Sequence, residues 1–278
     1  MRLRMMFVGD SMTIGRAGDY TWRYRMWQHL GDSCEIVGPR TTLYEPDAEP
    51  GTEPSPAPGT ASSAQPHTAE QHTAEPYAAQ PHTAQPHTAR PGTAYADPAF
   101  PAEARRHLSG WGEGWQHMAP VIRETVAAHR PDLLLVSLGL IDLGFYTDAG
   151  QTARNARRFL AEAREANPHI RAVILPVIPN IRAETDAPFA AEVAHFNVLL
   201  AKTLADLDEP RSPLLLASRP PSYDIHTDTY DGTHPNQSGE RKLARAFAEA
   251  LHQGWGIGGP YAPEGNPPAV RGTAVAAL

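Results

Sequence analysis

Apolar positions along this chain fall into two patterns that take turns. Continuous apolar runs occur at 4–10 ("RMMFVGD"), 34–38 ("CEIVG"), 131–139 ("PDLLLVSLG"), 171–179 ("RAVILPVIP") and 212–218 ("SPLLLAS"). Such runs, without polar alternation, predict strands covered on both faces. Between them lie segments with helical periodicity. The stretch 21–31 ("TWRYRMWQHLG") has Thr21 placed to cap it and Gly31 to stop it. A helix is predicted over 114–130, with Pro120 near its first turn or kinking it. Segment 148–167 carries an apolar face of Ala156, Phe159, Leu160 and Ala163 behind an Asp148 cap. Helices are also predicted over 191–207 and 239–254. Strands alternating with helices imply a five-stranded parallel sheet wrapped on both faces.

One segment breaks the alternation. Residues 45–99 hold eleven of the 28 prolines, no large aliphatic residue, and a degenerate repeat ("QPHTA", "EQHTA", "EPYAA", "RPGTA"). This composition cannot bury enough surface to offset its ordering entropy, so a disordered or polyproline-like insertion is expected. Its histidines, His67, His72, His82 and His87, recur without partner carboxylates and form no preorganised chelate. The insertion offers at most a place for a protein partner to bind. Residues 254–278, rich in Gly, Pro and Ala, are expected to form a flexible tail. The remaining 1–253 then form a single domain.

Composition narrows the function. The chain has 278 residues, 41% hydrophobic, enough for one sizeable core. A net charge of −7 with no basic cluster argues against nucleic acid or an anionic membrane as partner. The single cysteine, Cys34, rules out an intrachain disulfide and is read as a small buried hydrophobe. The start lacks the apolar stretch of a secretory signal, and no run is long enough to span a bilayer. A cytoplasmic protein is the expectation.

In an open parallel sheet, ligands sit beyond the carboxyl ends of the strands. Gly9-Asp10-Ser11 follows the first apolar run, Gly139-Leu140-Ile141-Asp142 the third, and "YDGTHPNQSG", with Asp231 and His234, the fifth. Serine, histidine and aspartate would therefore meet on one rim. That set supplies the nucleophile, base and orienting carboxylate of covalent acyl transfer. The plain alternative for Ser11 is a turn residue. Asp10 is expected to cap the following turn, and Asp142 to order its loop by hydrogen bonds. Trp111, Trp115, Phe145, Tyr146, Tyr223 and Tyr230 lie on or near the rim loops, as pocket lining or as packing.

These blocks resemble the SGNH, or GDSL-type, hydrolase family. "GDSMTIG" resembles the family's nucleophile block, "DGTHPN" the block carrying Asp231 and His234, and "HLSGWG" the block whose glycine supplies an oxyanion N–H. That glycine is best placed at Gly110, with Gly112 the alternative. The resemblance covers about Met1–Tyr44 and Asp97–Gln253. It implies a flavodoxin-like three-layer α/β/α sandwich and a serine hydrolase acting on a small-molecule ester or thioester, without metal or organic cofactor. One block departs from the pattern: the family's Gly-x-Asn-Asp is Gly139-Leu140-Ile141-Asp142 here, and Ile141 has no donor for the oxyanion. Asn180, after the fourth run, is a candidate substitute donor. The departure leaves two further readings open, an acyltransferase or cyclase using the same acyl-enzyme, and a catalytically weakened binding protein.

Overall fold

The computed structural model describes residues 2–44, 94–220 and 222–262. Strand β1 (Leu3–Gly9) leads into the short helix α1 (Ser11–Ile14), helix α2 (Thr21–Leu30) and strand β2 (Cys34–Ile36). After the segment 45–93 come β3 (Leu108–Ser109), α3 (Trp115–Met118), α4 (Ile122–His129) and β4 (Leu133–Ser137). A five-residue π-turn over Asp142–Tyr146 precedes α5 (Ala149–Ala166) and β5 (Arg171–Ile174). The order closes with α6 (Arg182–Thr185), α7 (Ala187–Leu207), β6 (Leu214–Leu216) and α8 (Gln237–Trp255).

All strands pair in parallel in the order β2-β1-β4-β5-β6, the doubly wound order of a flavodoxin-like sheet. The sheet has six strands where five are predicted. The extra one, β3, pairs Leu108 and Ser109 with Val8 and Gly9, above the stretch where β2 pairs Leu3–Met5. Two short strands thus share one edge of β1, and a two-residue strand leaves no period to read in the sequence. Met5–Val8 and Leu133–Val136 are fully buried, as the continuous apolar runs require. On one face Trp22 of α2 packs edge-on against Phe7 and stacks on Phe247 of α8. Elsewhere in the core Trp115 of α3 meets Phe159 of α5 edge-on, at 5.2 Å between ring centroids.

Several boundaries differ from expectation. The helix predicted across Pro120 is broken into α3 and α4, since proline removes a backbone donor and crowds the preceding turn. Thr21 opens α2 one residue inside the cap position, which Tyr20 holds without a side-chain bond; it has a positive φ of 74° and its hydroxyl accepts the Tyr24 N–H at 3.3 Å. The insertion, expected over 45–99, ends earlier. Tyr95 is 95% buried and its hydroxyl reaches the Thr41 carbonyl, while Asp97 accepts the Tyr24 hydroxyl at 2.5 Å. Tyr95 and Asp97 thereby tie residues 94–99 to the domain. Residues 45–93, with His67, His72, His82 and His87, lie outside the described residues. The expected tail begins later too: α8 runs to Trp255, Ile257 and Tyr261 pack on the core, and 263–278 lie outside the described residues. Cys34 is half-buried rather than buried. Among the described residues, no helix is long and apolar enough to cross a membrane.

Candidate active site

Gly9, Asp10 and Ser11 turn the chain from β1 into α1. A Cβ on Gly9 would sit 2.0 Å from the Thr13 hydroxyl and 2.9 Å from the Ser137 carbonyl, so only glycine fits there. Asp10 caps α1 as expected: its Oδ1 accepts the Met12 N–H at 3.0 Å, and its carbonyl accepts from Thr13 and Ile14. Burial pushes the Asp10 carboxyl up to about 7, helped by the charge of Asp142 and opposed by the Met12 N–H. The far end of the turn is held by Arg23. This fully buried guanidinium donates to the carbonyls of Thr13, Ile14 and Arg105 and to the Tyr95 hydroxyl. It has exchanged a carboxylate partner for main-chain oxygens, which compensates its desolvation with several charge-assisted bonds.

Ser11 is thereby fixed, 4% exposed, with its Oγ 3.0 Å from His234 Nε2. His234 Nδ1 lies 2.6 Å from Asp231 Oδ2. The other Asp231 oxygen accepts the backbone N–H groups of His234 at 2.7 Å and Thr233 at 3.0 Å. Burial raises the Asp231 carboxyl, but the His234 N–H, the imidazole and the Thr233 N–H together outweigh it and hold the group below the ordinary range. An ionised Asp231 accepts only, so Nδ1 carries the imidazole proton and Nε2 is left to accept from the serine hydroxyl. The sequence-derived Ser, His and Asp thus form one hydrogen-bonded line, from loops more than 200 residues apart.

The loop bearing His234 is built on a buried carboxylate. Asp228 accepts from the Asp224 N–H, the Ser238 hydroxyl and the Lys242 ammonium, each at 2.7 Å. Asn236 caps α8 and also ties back to the carbonyls of Thr227 and Thr229. Gly232, at φ 78°, passes so close to Ile181 that a Cβ would sit 2.6 Å from that side chain.

The expected oxyanion groups are less complete. The Ser11 N–H opens α1, where helix geometry gives it no intrahelical acceptor. The Gly110 N–H, by contrast, donates to the Gly9 carbonyl at 3.3 Å, because β3 continues its ladder with β1 by one more residue. Its donor is committed to the sheet edge by a bond at the long end of the range. Ile141 is half-buried at the start of the π-turn and offers no donor. Asn180, the candidate substitute donor, gives one amide N–H to the Thr233 hydroxyl at 3.2 Å, bracing the loop of His234. Asp142 orders its surroundings as expected, accepting the Trp115 and Gln116 N–H groups at the start of α3. Burial pushes its carboxyl up, against those two N–H bonds.

The rim aromatics divide. Trp115 belongs to the core, and Tyr223 is buried. Trp111 and Tyr230 stack on His234, with ring centroids at 4.6 and 5.7 Å. Phe145 and Tyr146, on the π-turn, are exposed, Tyr146 meets His117 edge-on, and Arg182 donates to the Gly144 carbonyl of the same turn. A small cavity abuts the nucleophile's turn, lined by Asp10, Met12, Ser137, Leu140, Leu175 and Val177.

Some of this machinery escaped the sequence reading. Arg23, Asp228 and the Arg40–Glu113 pair, at 2.6 Å, carry no predicted role, although Arg23 and Arg40 lie in the family-like stretches "TWRYRMWQHL" and "VGPR". A buried arginine or aspartate looks like a surface one until the fold supplies its partners. Glu113 follows "SGWG" directly, which places it beside the same loop.

The model of the GDSL-like lipase/acylhydrolase family matches residues 73–242, which include Gly110, Ile141, Asp231 and His234 but begin after Ser11. Comparison with curated protein sequences gives no match. Among solved structures, a carbohydrate esterase family 3 protein from Talaromyces cellulolyticus is 20% identical, with a TM-score of 0.61 over 90% of this chain and 97% of that one. A family 3 carbohydrate esterase from Clostridium thermocellum is 15% identical, with a TM-score of 0.59 over 91% and 96% of the two chains. An acetyl esterase mutant with an acetate ion is 20% identical, with a TM-score of 0.59 over 90% and 97%. At these identities the likeness is one of fold.

Proposed function

Since the chain belongs to the GDSL-like lipase/acylhydrolase family, we propose that Ser11 is the nucleophile with which it cleaves a carboxylic ester or thioester. His234 is the general base and Asp231 its orienting carboxylate. The single observation that supports this most is the bonded run from Ser11 Oγ through His234 to Asp231, at 3.0 and 2.6 Å.

His234 Nε2 takes the hydroxyl proton as Ser11 Oγ attacks the acyl carbon. The oxyanion is met by the Ser11 N–H, and by the Gly110 N–H once its long bond to Gly9 is exchanged. As the tetrahedral intermediate collapses, the imidazolium returns the proton to the leaving oxygen or sulfur. Water then attacks the acyl-enzyme, gives its proton to His234, and the acid leaves with Ser11 restored. Asp231 stays ionised throughout and stabilises the imidazolium.

The named neighbours, carbohydrate and acetyl esterases, make acetyl esters the first substrates to try. The test is turnover of p-nitrophenyl acetate by wild type, Ser11→Ala and His234→Ala. Both variants are expected to lose turnover; near-wild-type activity in His234→Ala would overturn the base assignment. A second reading, acyl transfer to an alcohol or amine, is favoured by one observation, the half-buried Ile141 where the family pattern has an amide donor. Product partitioning in the presence of an added alcohol separates the two.

A further inference from the structure

Asp231 is an open anchor for a catalytic imidazole. Its side chain is 43% exposed, while that of His234 is 15% exposed. Water can compete for the carboxylate, so two hydrogen bonds along the ring edge leave the tilt of the ring plane weakly fixed. Aromatic rings lie against the faces of that plane. Trp111 stacks on His234 with an interplanar angle of 17°, and Tyr230 with one of 15°.

Trp111 does not stand alone. Its indole also stacks on Tyr44, at 3.9 Å and 18°. Tyr44 is pinned by its main chain, its N–H donating to Gly15 and its carbonyl accepting from Ala17. The loop carrying Trp111 is braced separately. Arg40 donates to both carboxylate oxygens of Glu113 and to the Ser109 carbonyl. His107, wholly buried, accepts from the Ser109 hydroxyl at Nδ1 and donates from Nε2 to the Thr42 carbonyl. Burial, with Arg23 and Arg40 nearby, holds His107 neutral, as that pattern of one acceptor and one donor nitrogen requires. The stretch Arg40–Tyr44 therefore fixes the Trp111 loop by an ion pair, a buried imidazole and a stacked ring.

We propose that Trp111 is a positioning residue for catalysis: wedged against Tyr44, its indole holds the imidazole plane of His234 in line with Ser11 and Asp231, and stabilises the imidazolium formed in the transition state through its π-face. The inference rests on His234 being the base. Its consequence falls on the chemical step, because the imidazolium exists only after Ser11 has given up its proton. An indole face is worth most where one oxyanion donor is missing, since it stabilises the cationic half of the same charge pair.

Trp111→Leu, Trp111→Phe, Tyr44→Leu and His234→Ala test this with p-nitrophenyl acetate. Trp111→Leu is expected to lower kcat about tenfold with KM changed less than twofold. Trp111→Phe, which keeps a ring face, restores most of that loss. Tyr44→Leu, which touches neither His234 nor Ser11, gives a smaller fall with the same split. The ring protons of His234 are assigned by their loss in His234→Ala. They are expected to sit upfield in wild type and to move downfield in Trp111→Leu. That NMR readout reports stacking even if a variant is inactive. A Trp111→Leu enzyme within twofold of wild-type kcat, or equal losses in the Leu and Phe variants, would overturn the positioning role. An active His234→Ala would instead overturn the base assignment beneath it.

Discussion

Ile141→Asn probes the one block in which this chain departs from its family pattern. The stem at residue 141 is preset. Gly139, at φ 125°, lies so close to Val177 and Phe196 that a Cβ would sit 2.7 Å from one and 2.9 Å from the other. On the far side, Asp142 is anchored by the N–H groups of Trp115 and Gln116. Residue 141 itself has φ −68° and ψ −42°, which asparagine adopts without strain. The substitution therefore adds an amide to a fixed stem on the rim. A single oxyanion donor is worth about 10²–10³ in turnover, some 3–4 kcal/mol. Residue 141 is only half-buried, so water screens part of that, and a gain of roughly ten- to a hundredfold is expected. The donor acts on charge that exists only in the transition state, so kcat should rise while KM moves little. The assay is steady-state hydrolysis of p-nitrophenyl acetate, with acyl transfer to an added alcohol measured in parallel. A rise in hydrolysis alone supports the esterase with an incomplete oxyanion hole. A rise in hydrolysis with a fall in transfer supports the acyltransferase reading, because an unpaired amide in an apolar wall costs about 1–3 kcal/mol. A folded variant with neither rate changed refutes the placement of residue 141 beside the oxyanion.

Three further outcomes follow. Burial raises Glu240 to about 7 from an ordinary 4.5, although its Oε1 accepts the Thr21 N–H and Arg25 stands 3.8 Å away. The folded state therefore keeps a proton that the unfolded chain sheds above about pH 4.5, and stability falls as pH rises toward 7. Glu240→Gln keeps the acceptor and removes that slope. Urea unfolding should show little change at pH 4 and a gain on the order of 3 kcal/mol at pH 8, and an equal difference at both pH values would contradict this. Replacing 45–93 by a short Gly-rich link should preserve folding and activity, since Tyr44 and Ala94 are bonded to the adjacent residues Ala17 and Gly18. Insolubility of that protein would count against the insertion reading; Tyr95 must be kept, because it is buried against Arg23. The double variant Ser11→Ala/His234→Ala should be little slower than either single one, because the two act as a unit. Additive losses in kcat would mean that they do not.

Much of the fold is legible because its strands are covered on both faces. Met5–Val8 and Leu133–Val136 carry no polar residue to disguise them, and the buried core bears this out. The hydrogen-bonded line of Ser11, His234 and Asp231 was also legible, since each follows an apolar run and so reaches the same rim. What stayed hidden depends on contacts between distant segments. β3 is two residues long and exists because β1 has a free edge above β2. That strand turns the Gly110 N–H toward Gly9, an outcome no motif could announce. Asn180 lies after the expected strand, and its bond to Thr233 depends on a loop more than 50 residues further along the chain. Tyr95 looked like the end of a repeat until Arg23 and Thr41 supplied its partners.

Whether Ser11 is an activated nucleophile is read most plainly from covalent labelling. Wild-type protein, Ser11→Ala and His234→Ala would each be treated with a fluorophosphonate and examined by intact mass, with the modified peptide then sequenced. Wild type is expected to carry one phosphonyl adduct, at Ser11 beside His234 Nε2, Ser11→Ala none, and His234→Ala to label far more slowly. An adduct on another residue, or labelling of wild type and Ser11→Ala at the same rate, would contradict this.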